Sequence, residues 1–567
     1  MIFMAVGPFL ICPANSHSGV MLMTRRICSV LIYVVALRSP ASPADENILL
    51  PADTSVQDAI DHYVQKAIAE NGVPAVGQAP DEAVLRRTTL DLSGRIPTQP
   101  EREWYEQIPP SERREQLVDR LLNLPDTAFH LANDLDSHLL RNSPYNGEFR
   151  EYLLWATKQK RSWDQMFRDM LLAKPAEGPL QGATQFLRTR IREVDDLTND
   201  TAILFLGINV SCAKCHDHPL VEDWKQDHFY GMQTFFSRTY QTKKNVVAEK
   251  FFDEVKFKTT GGDDKLASFM FLTGDVVTDA TPDFSDEARK ELDEKIRKAE
   301  RDDDSEAPVP EFSPRLQLVD IALQDDSDAF FAKNIVNRVW ARMLGSGLVN
   351  PLDQMHSGNP PSHPELLDWL ARDLKQHGYD LHRLIRGVAL CTAYARDSEW
   401  SSAAEPPGEG YFAIARTRAL TARQLALSLQ IAATSPGKWP DVAACDEWTK
   451  MRESLEKQAN GWVREFEQPN ENFQVAVDEA LFFSNNARVY DDVLRDSGDR
   501  LIGHLKTVDD DAQLVTDLWR AVLSRTPDDE ERNAAVAWLQ RDNEDPVEKI
   551  RQLSWTLLAG PEFRFNH

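Results

Sequence analysis

Apolar residues recur at helical spacing along most of this chain, and glycine, proline and capping residues close the runs. No other feature limits the fold so tightly, because a chain punctuated in this way builds packed amphipathic helices. Val56, Ile60, Val64, Ala67 and Ile68 form one stripe, ended near Gly72 and Pro74. Leu85 to Leu92 forms the next, closed by Gly94. Arg113 to Leu124 follows, and aromatic-rich helical patterns continue through Trp155 and Trp163 to Leu172. Asp195 to Leu206 reads as a helix capped by Gly207. Beyond Trp224, Phe229, Met232 and Phe236 share one face. The tryptophan and leucine stripes read as core packing.

Between 245 and 280 the pattern changes. Val246-Val247, Phe251 to Phe257 and Phe269 to Leu272 lie around Gly261-Gly262 and predict a few strands with one hairpin. Ser285 to Arg301 is a highly charged helix, and Asp302-Asp303-Asp304 with Pro308 to Pro314 marks a linker. Helices resume at Phe330 to Leu344, ended by Gly345. Ser362-His363-Pro364-Glu365 and Thr421 to Gln424 read as capping boxes, and Asp545-Pro546-Val547-Glu548 as a third helix start before Gly560 and Pro561. The expected fold is mainly α, with two helical domains and a small β element between them. The expected divisions are a leader over 1–44, helical domains over 45–244 and 315–567, and the β element, charged helix and linker over 245–314.

The 567 residues carry 90 acids against 64 bases, a formal charge of -26. Such a surface repels nucleic acid and anionic lipid, so neither is an expected partner. Read from Met21, the chain shows Arg25-Arg26, an apolar run from Ile27 to Leu37, and the small residues Ser42 and Ala44. That order predicts a secretory signal peptide and a periplasmic or secreted protein, with no membrane span after its removal. Of six cysteines, Cys12 and Cys28 lie in the leader, and Cys212, Cys215, Cys391 and Cys445 remain. The last two read as buried or bridged.

Ligand chemistry concentrates in Cys212-Ala213-Lys214-Cys215-His216-Asp217-His218-Pro219. Cys-x-x-Cys-His is the arrangement for covalent haem attachment: two thiols reach two vinyl groups and the adjoining histidine takes the iron. On this reading Cys212, Cys215 and His216 hold a c-type haem for electron transfer or a haem-linked redox reaction. Met232, His228, His356 and His363 are candidates for the sixth iron position. Three other readings compete. Cys212, Cys215 and one or two of His216, His218 and His228 would suit zinc or another transition metal, in a metalloprotein or a hydrolase of extracellular polymer. The two thiols would also make a disulfide or redox dithiol, or only a structural turn. His363, at the start of a helix, is a further candidate ligand or proton acceptor, with a helix cap as the plainer reading. Asn337-Arg338-Val339-Trp340 reads as a buried polar strut. The G-x-S-x-G, phosphate-loop and H-E-x-x-H signatures of common hydrolases and nucleotide binders are absent.

Leu85-Arg86-Arg87, Asp91 to Thr98, and Cys212 to Pro219 with Trp224 resemble the N-terminal domain of unknown function in planctomycete cytochrome-associated proteins. Asn337 to Trp340, Gly345 to Asp353, Asn359 to Leu370 and Leu557 to His567 resemble its usual C-terminal partner domain. The resemblance runs from about Ala59 to the C-terminus. It implies an exported protein of planctomycete-type bacteria and names no reaction; a redox partner is expected on the haem reading and an extracellular polymer on the metal-hydrolase reading. Many relatives carry a separate cytochrome c domain ahead of these two, which this chain is expected to lack. Asp353-Gln354 departs from the family's usual pair of acids at that point.

Overall fold

A computed structural model describes residues 49–140, 146–172, 178–217, 221–324, 328–442, 445–466, 468–469, 486–541 and 545–567. The expected leader over 1–44 and His218 lie outside these residues. The architecture is mainly α with minor antiparallel strand pairs.

Helix α1 spans Val56–Glu70, and its start follows from Ser55, whose hydroxyl accepts the Asp58 N–H at 3.2 Å. Helix α2 spans Asp81–Ser93 and ends at Gly94 in the left-handed conformation. Nearly every residue of α2 is buried, including Arg86, Arg87 and Asp91. Helix α3, Pro125–Leu139, starts with proline at its first position, where the missing N–H costs nothing. Helix α4, Val194–Thr201, runs straight into a π-helical turn over Ala202–Leu206. The single helix expected over Asp195 to Leu206 is thus two segments. Gly207 closes it at φ +75°, as the capping reading requires. A Cβ there would also sit 3.0 Å from the Asn334 Oδ1.

A short 3-10 turn over Ser211–Lys214 carries the cysteines to helix α5, Gln226–Ser237. Three hairpins follow, where the sequence predicts only one. They pair β1 Thr239–Gln241 with β2 Val247–Glu249, β3 Lys256–Lys258 with β4 Asp264–Leu266, and β5 Phe269–Met270 with β6 Val276–Val277. Each strand is two or three residues long, too short for a two-residue alternation to register. Helix α6, Asp286–Arg301, buries only Ile296 and Ala299.

Helix α7 spans Phe330–Leu344 and ends at Gly345. Helix α8 spans Pro364–Gln376. The capping box expected at Ser362 is not formed: His363 occupies the cap position without a side-chain cap, and Glu365 instead pairs with Lys66 of α1 at 3.0 Å. The box expected at Thr421 is formed, opening α9 over Ala422–Ala433. Helix α10 is Cys445–Asn460, and α11, Pro546–Leu558, starts at Asp545 as the sequence predicts.

Leu49–His567 packs as one unit. Its main core draws on α1, α5, α7 and α8 alike, so residues on both sides of the 302–314 linker share one interior. The expected domain divisions therefore follow chain order and do not mark separately packed bodies. A second cluster gathers α9, α10 and α11 around Leu90 and Ile96. Beside it, Arg95 and Arg452 share Asp126, at 2.6 and 2.9 Å, with all three side chains buried. Among the described residues no helix is long and apolar enough to cross a membrane.

Candidate functional site

The cysteine loop is held from three sides. On its approach, the Asn209 N–H donates to the Asp353 carbonyl at 2.9 Å and the Met355 N–H to the Gly207 carbonyl at 3.1 Å. The Ser211 N–H and hydroxyl both donate to the Asn209 Oδ1, at 3.1 and 2.6 Å. Beyond the loop, the Ser357 N–H and hydroxyl donate to the two oxygens of Asp223, each at 2.7 Å. Burial opposes ionisation of Asp223, but these bonds prevail and hold its carboxyl below the usual carboxylate range. The segment from Asp353 to Ser357 thus clamps both flanks of the loop.

From below, Gln226 at the start of α5 acts as the hub. Its Nε2 donates to the carbonyls of Cys215 at 3.3 Å and Lys258 at 3.2 Å, while its Oε1 accepts the Thr260 N–H at 3.1 Å. Its own N–H donates to the Asp217 Oδ1 at 3.0 Å. The Tyr230 hydroxyl donates to the Lys214 carbonyl at 3.1 Å, and the Tyr230 ring stacks on Phe257 at 4.2 Å. Lys214 also pairs with Asp195 of α4.

This scaffold turns Ala213 inward and leaves Cys212, Cys215 and His216 exposed. Both thiols are free. The His216 Nδ1 lies 2.8 Å from the Asp217 carbonyl, which can only accept, so Nδ1 carries the ring proton. Nε2 is then the lone-pair nitrogen. A backbone carbonyl that fixes the tautomer in this way is the usual outer support of a metal-bound histidine. Two free thiols and one imidazole nitrogen thus lie exposed on one short turn.

The other predicted ligands are placed elsewhere. The His228 Nδ1 accepts the Lys225 N–H at 3.0 Å, and burial lowers the ring's pKa. That nitrogen serves the start of α5. Met232 is fully buried among apolar side chains of the main core. His356 lies in the clamping segment with its Nε2 3.3 Å from the Gln354 Oε1. His363 is buried against Phe412 at 5.7 Å, with Nδ1 3.1 Å from the Ser362 hydroxyl. Burial pushes its pKa down to about 4. Cys391 is buried with its thiol pushed up to about 12 by burial, and is unbridged. Among the described residues no group of three or more His, Cys, Asp and Glu is poised for a metal ion.

The polar strut at Asn337 is present. Its Nδ2 donates to the Val349 carbonyl at 2.8 Å and its Oδ1 accepts the Val349 N–H at 3.0 Å. Arg338 donates to the Asn334 Oδ1 at 2.8 Å and to the Ile203 carbonyl at 2.7 Å. The Ile203 carbonyl also accepts the Gly207 N–H at 3.2 Å, so Arg338 is its second donor at the end of the π-turn.

The sequence reading missed a cavity of about 940 Å³ between α3, α7 and the start of α9. Its charged lining includes Arg150, Arg338, Arg342, Arg416 and Arg423. Only Arg338 and Arg342 share an element, α7, and the others come from separate stretches with no shared motif, so the fold brings them together.

Residues 59–241 match the family model PSCyt2, described as a protein of unknown function (DUF1549). Residues 314–460 match the model PSD1, described as a protein of unknown function (DUF1553). No curated protein and no solved structure matches the chain. The cysteine loop belongs to the first matched segment and its Asp353–Ser357 clamp to the second.

Proposed function

We propose that this two-domain chain, a DUF1549 segment followed by a DUF1553 segment, carries a c-type haem on its cysteine loop and uses it for electron transfer. The observation that carries the reading is the pair of free, exposed thiols beside a histidine whose Nε2 is directed by its neighbour's carbonyl. A bound haem supplies one-electron chemistry. Cys212 and Cys215 would each add a thiol across a vinyl group, forming a carbon–sulfur bond and passing the thiol hydrogen to the other vinyl carbon. His216 would offer Nε2 to the iron, with Asp217 keeping the proton on Nδ1. The hydrogen bonds of Gln226 and Tyr230 to loop carbonyls would hold the three groups in place. An exposed loop on an acidic protein suits a basic redox partner.

The test is expression in a periplasm that has haem-attachment machinery, followed by haem staining after denaturing electrophoresis. A stained band that disappears in Cys212→Ala and Cys215→Ala is the expected result. With His216→Ala, the band should persist while the visible spectrum shifts. Absence of stain in competent cells overturns the reading. A zinc-like site on Cys212, Cys215, His216 and His218 is the second reading, favoured by the same free thiols. It predicts one equivalent of metal and no haem.

A further inference from the structure

We propose that the cavity between α3, α7 and the start of α9 binds a small organic anion bearing two or more carboxylate or sulfate groups. The protein as a whole is strongly acidic, at -26, yet five arginines line this cavity against three carboxylates, Asp134, Asp136 and Glu409. Each of these acids meets one arginine: Asp134 pairs with Arg342, Asp136 with Arg150 at 3.3 Å, and Glu409 with Arg416 at 2.6 Å. Arg423 pairs at 2.7 Å with Glu456, and Arg338 bonds the neutral oxygens of Asn334 and Ile203.

The guanidinium edges that remain indicate the ligand. Arg342 commits Nη1 to Asp134, and Arg416 commits Nη1 to Glu409 and to the Gly345 carbonyl at 3.2 Å. Arg423 commits Nη1 to Glu456 and to Asn460 at 3.0 Å. The Nε and Nη2 of all three have no protein acceptor among the described residues. An Nε–Nη2 edge is the fork that receives a carboxylate or a sulfate through two parallel hydrogen bonds. Arg338 and Arg342 stand one helical turn apart on α7, and Arg416 reaches the carbonyl that ends it, so three of the cations follow one helix end. Leu131, Leu135, Ile335 and Val339 supply apolar wall between the charges. A volume of about 940 Å³ lies at the upper end of the range of small-molecule sites.

The cavity is independent of the haem reading, since none of Cys212, Cys215 and His216 lines it. The test is calorimetric titration of the whole purified chain with benzene-1,3,5-tricarboxylate and, separately, benzene-1,3-disulfonate, at low and high salt. The neutral benzene-1,3,5-trimethanol is the control. Saturable one-site binding of at least one anion is expected, weakening with salt, with the neutral triol silent. The tighter anion identifies the group preferred. Arg416→Gln should weaken it about tenfold or more, and Arg416→Lys by less, because charge is kept and the fork is lost. Arg416 stands at the partly exposed rim, and melting temperature checks that its variants fold. Should a variant still fail to fold, the salt dependence and the neutral control decide on the unmodified chain. Absence of binding by both anions overturns the proposal, and so does equal binding of the triol. Unchanged affinity in a folded Arg416→Gln also overturns it.

Discussion

His363 is buried, contacts Phe412 and sets one ring nitrogen against a serine hydroxyl, while its Nε2 has no hydrogen-bond partner among the described residues. Its folded pKa of about 4 lies below the value near 6.5 of an unfolded histidine. The native state therefore holds the ring neutral where the unfolded chain would protonate it. The stability tied to this group is complete above about pH 6.5 and is lost as pH falls towards 4, a difference of roughly 3 kcal/mol. Urea midpoints measured from pH 7 to pH 4 should fall, and His363→Phe should flatten that part of the slope. A variant with the parental slope would assign the acid sensitivity elsewhere. Asp126 makes the opposite case. Burial would raise its pKa, but Arg95 and Arg452 prevail and hold it down. Asp126→Ala leaves Arg95 with Glu101 and Arg452 with Glu456, each at 2.8 Å, but removes the carboxylate that the two guanidinium groups share, and chemical denaturation should show a loss of about 1–3 kcal/mol.

Among the elements, the turn bearing the cysteines depends on Gln226, which bonds the loop and the β3–β4 hairpin at once. Gln226→Ala should speed amide hydrogen exchange in Lys214–Asp217 and at Thr260 while protection in α1 stays the same. Unaltered exchange at those sites would show that the clamp from Asp353 to Ser357 suffices alone. Gly207→Ala should destabilise by about 1–2 kcal/mol in thermal melts, since φ +75° disfavours a side chain and Asn334 stands close. Helix starts and stops were legible where a local cause sets them: Gly94, Gly207, Gly345, Thr421 and Asp545 all act as their residue types suggest. The π-turn was not legible, because Ala202 to Leu206 shows the same apolar pattern whichever carbonyl its N–H groups choose. Nor was the failed box at Ser362, where a distant lysine draws Glu365 away. Of the candidate site, the cysteines and His216 were legible as a motif. Their tautomer, the role of Gln226 and the five-arginine cavity depend on partners remote in sequence.

In the whole molecule, the charged stretch from Asp302 to Glu306 joins two parts of one interior. Phe331 stacks with Trp163 at 6.2 Å and packs on Phe167 at 4.7 Å, both contributed from before that stretch. A protease that cuts between Asp302 and Glu306 should leave two fragments that stay together in gel filtration and separate only in denaturant. Separation under native conditions would contradict a shared core. The same intermingling reaches the far end of the chain. Phe565–Asn566 pairs with Arg418–Ala419, the Asn566 side chain donates to Asp91 at 3.0 Å, and Arg87 donates to the His567 carbonyl at 3.3 Å. Helix α2 thus finds its last acceptors 480 residues downstream. A ribosome adding 5–20 residues per second needs on the order of half a minute or more to deliver them. Until then Arg86, Arg87 and Asp91 cannot close their network, so this part of the interior is sealed only once Phe563, Asn566 and His567 have been added.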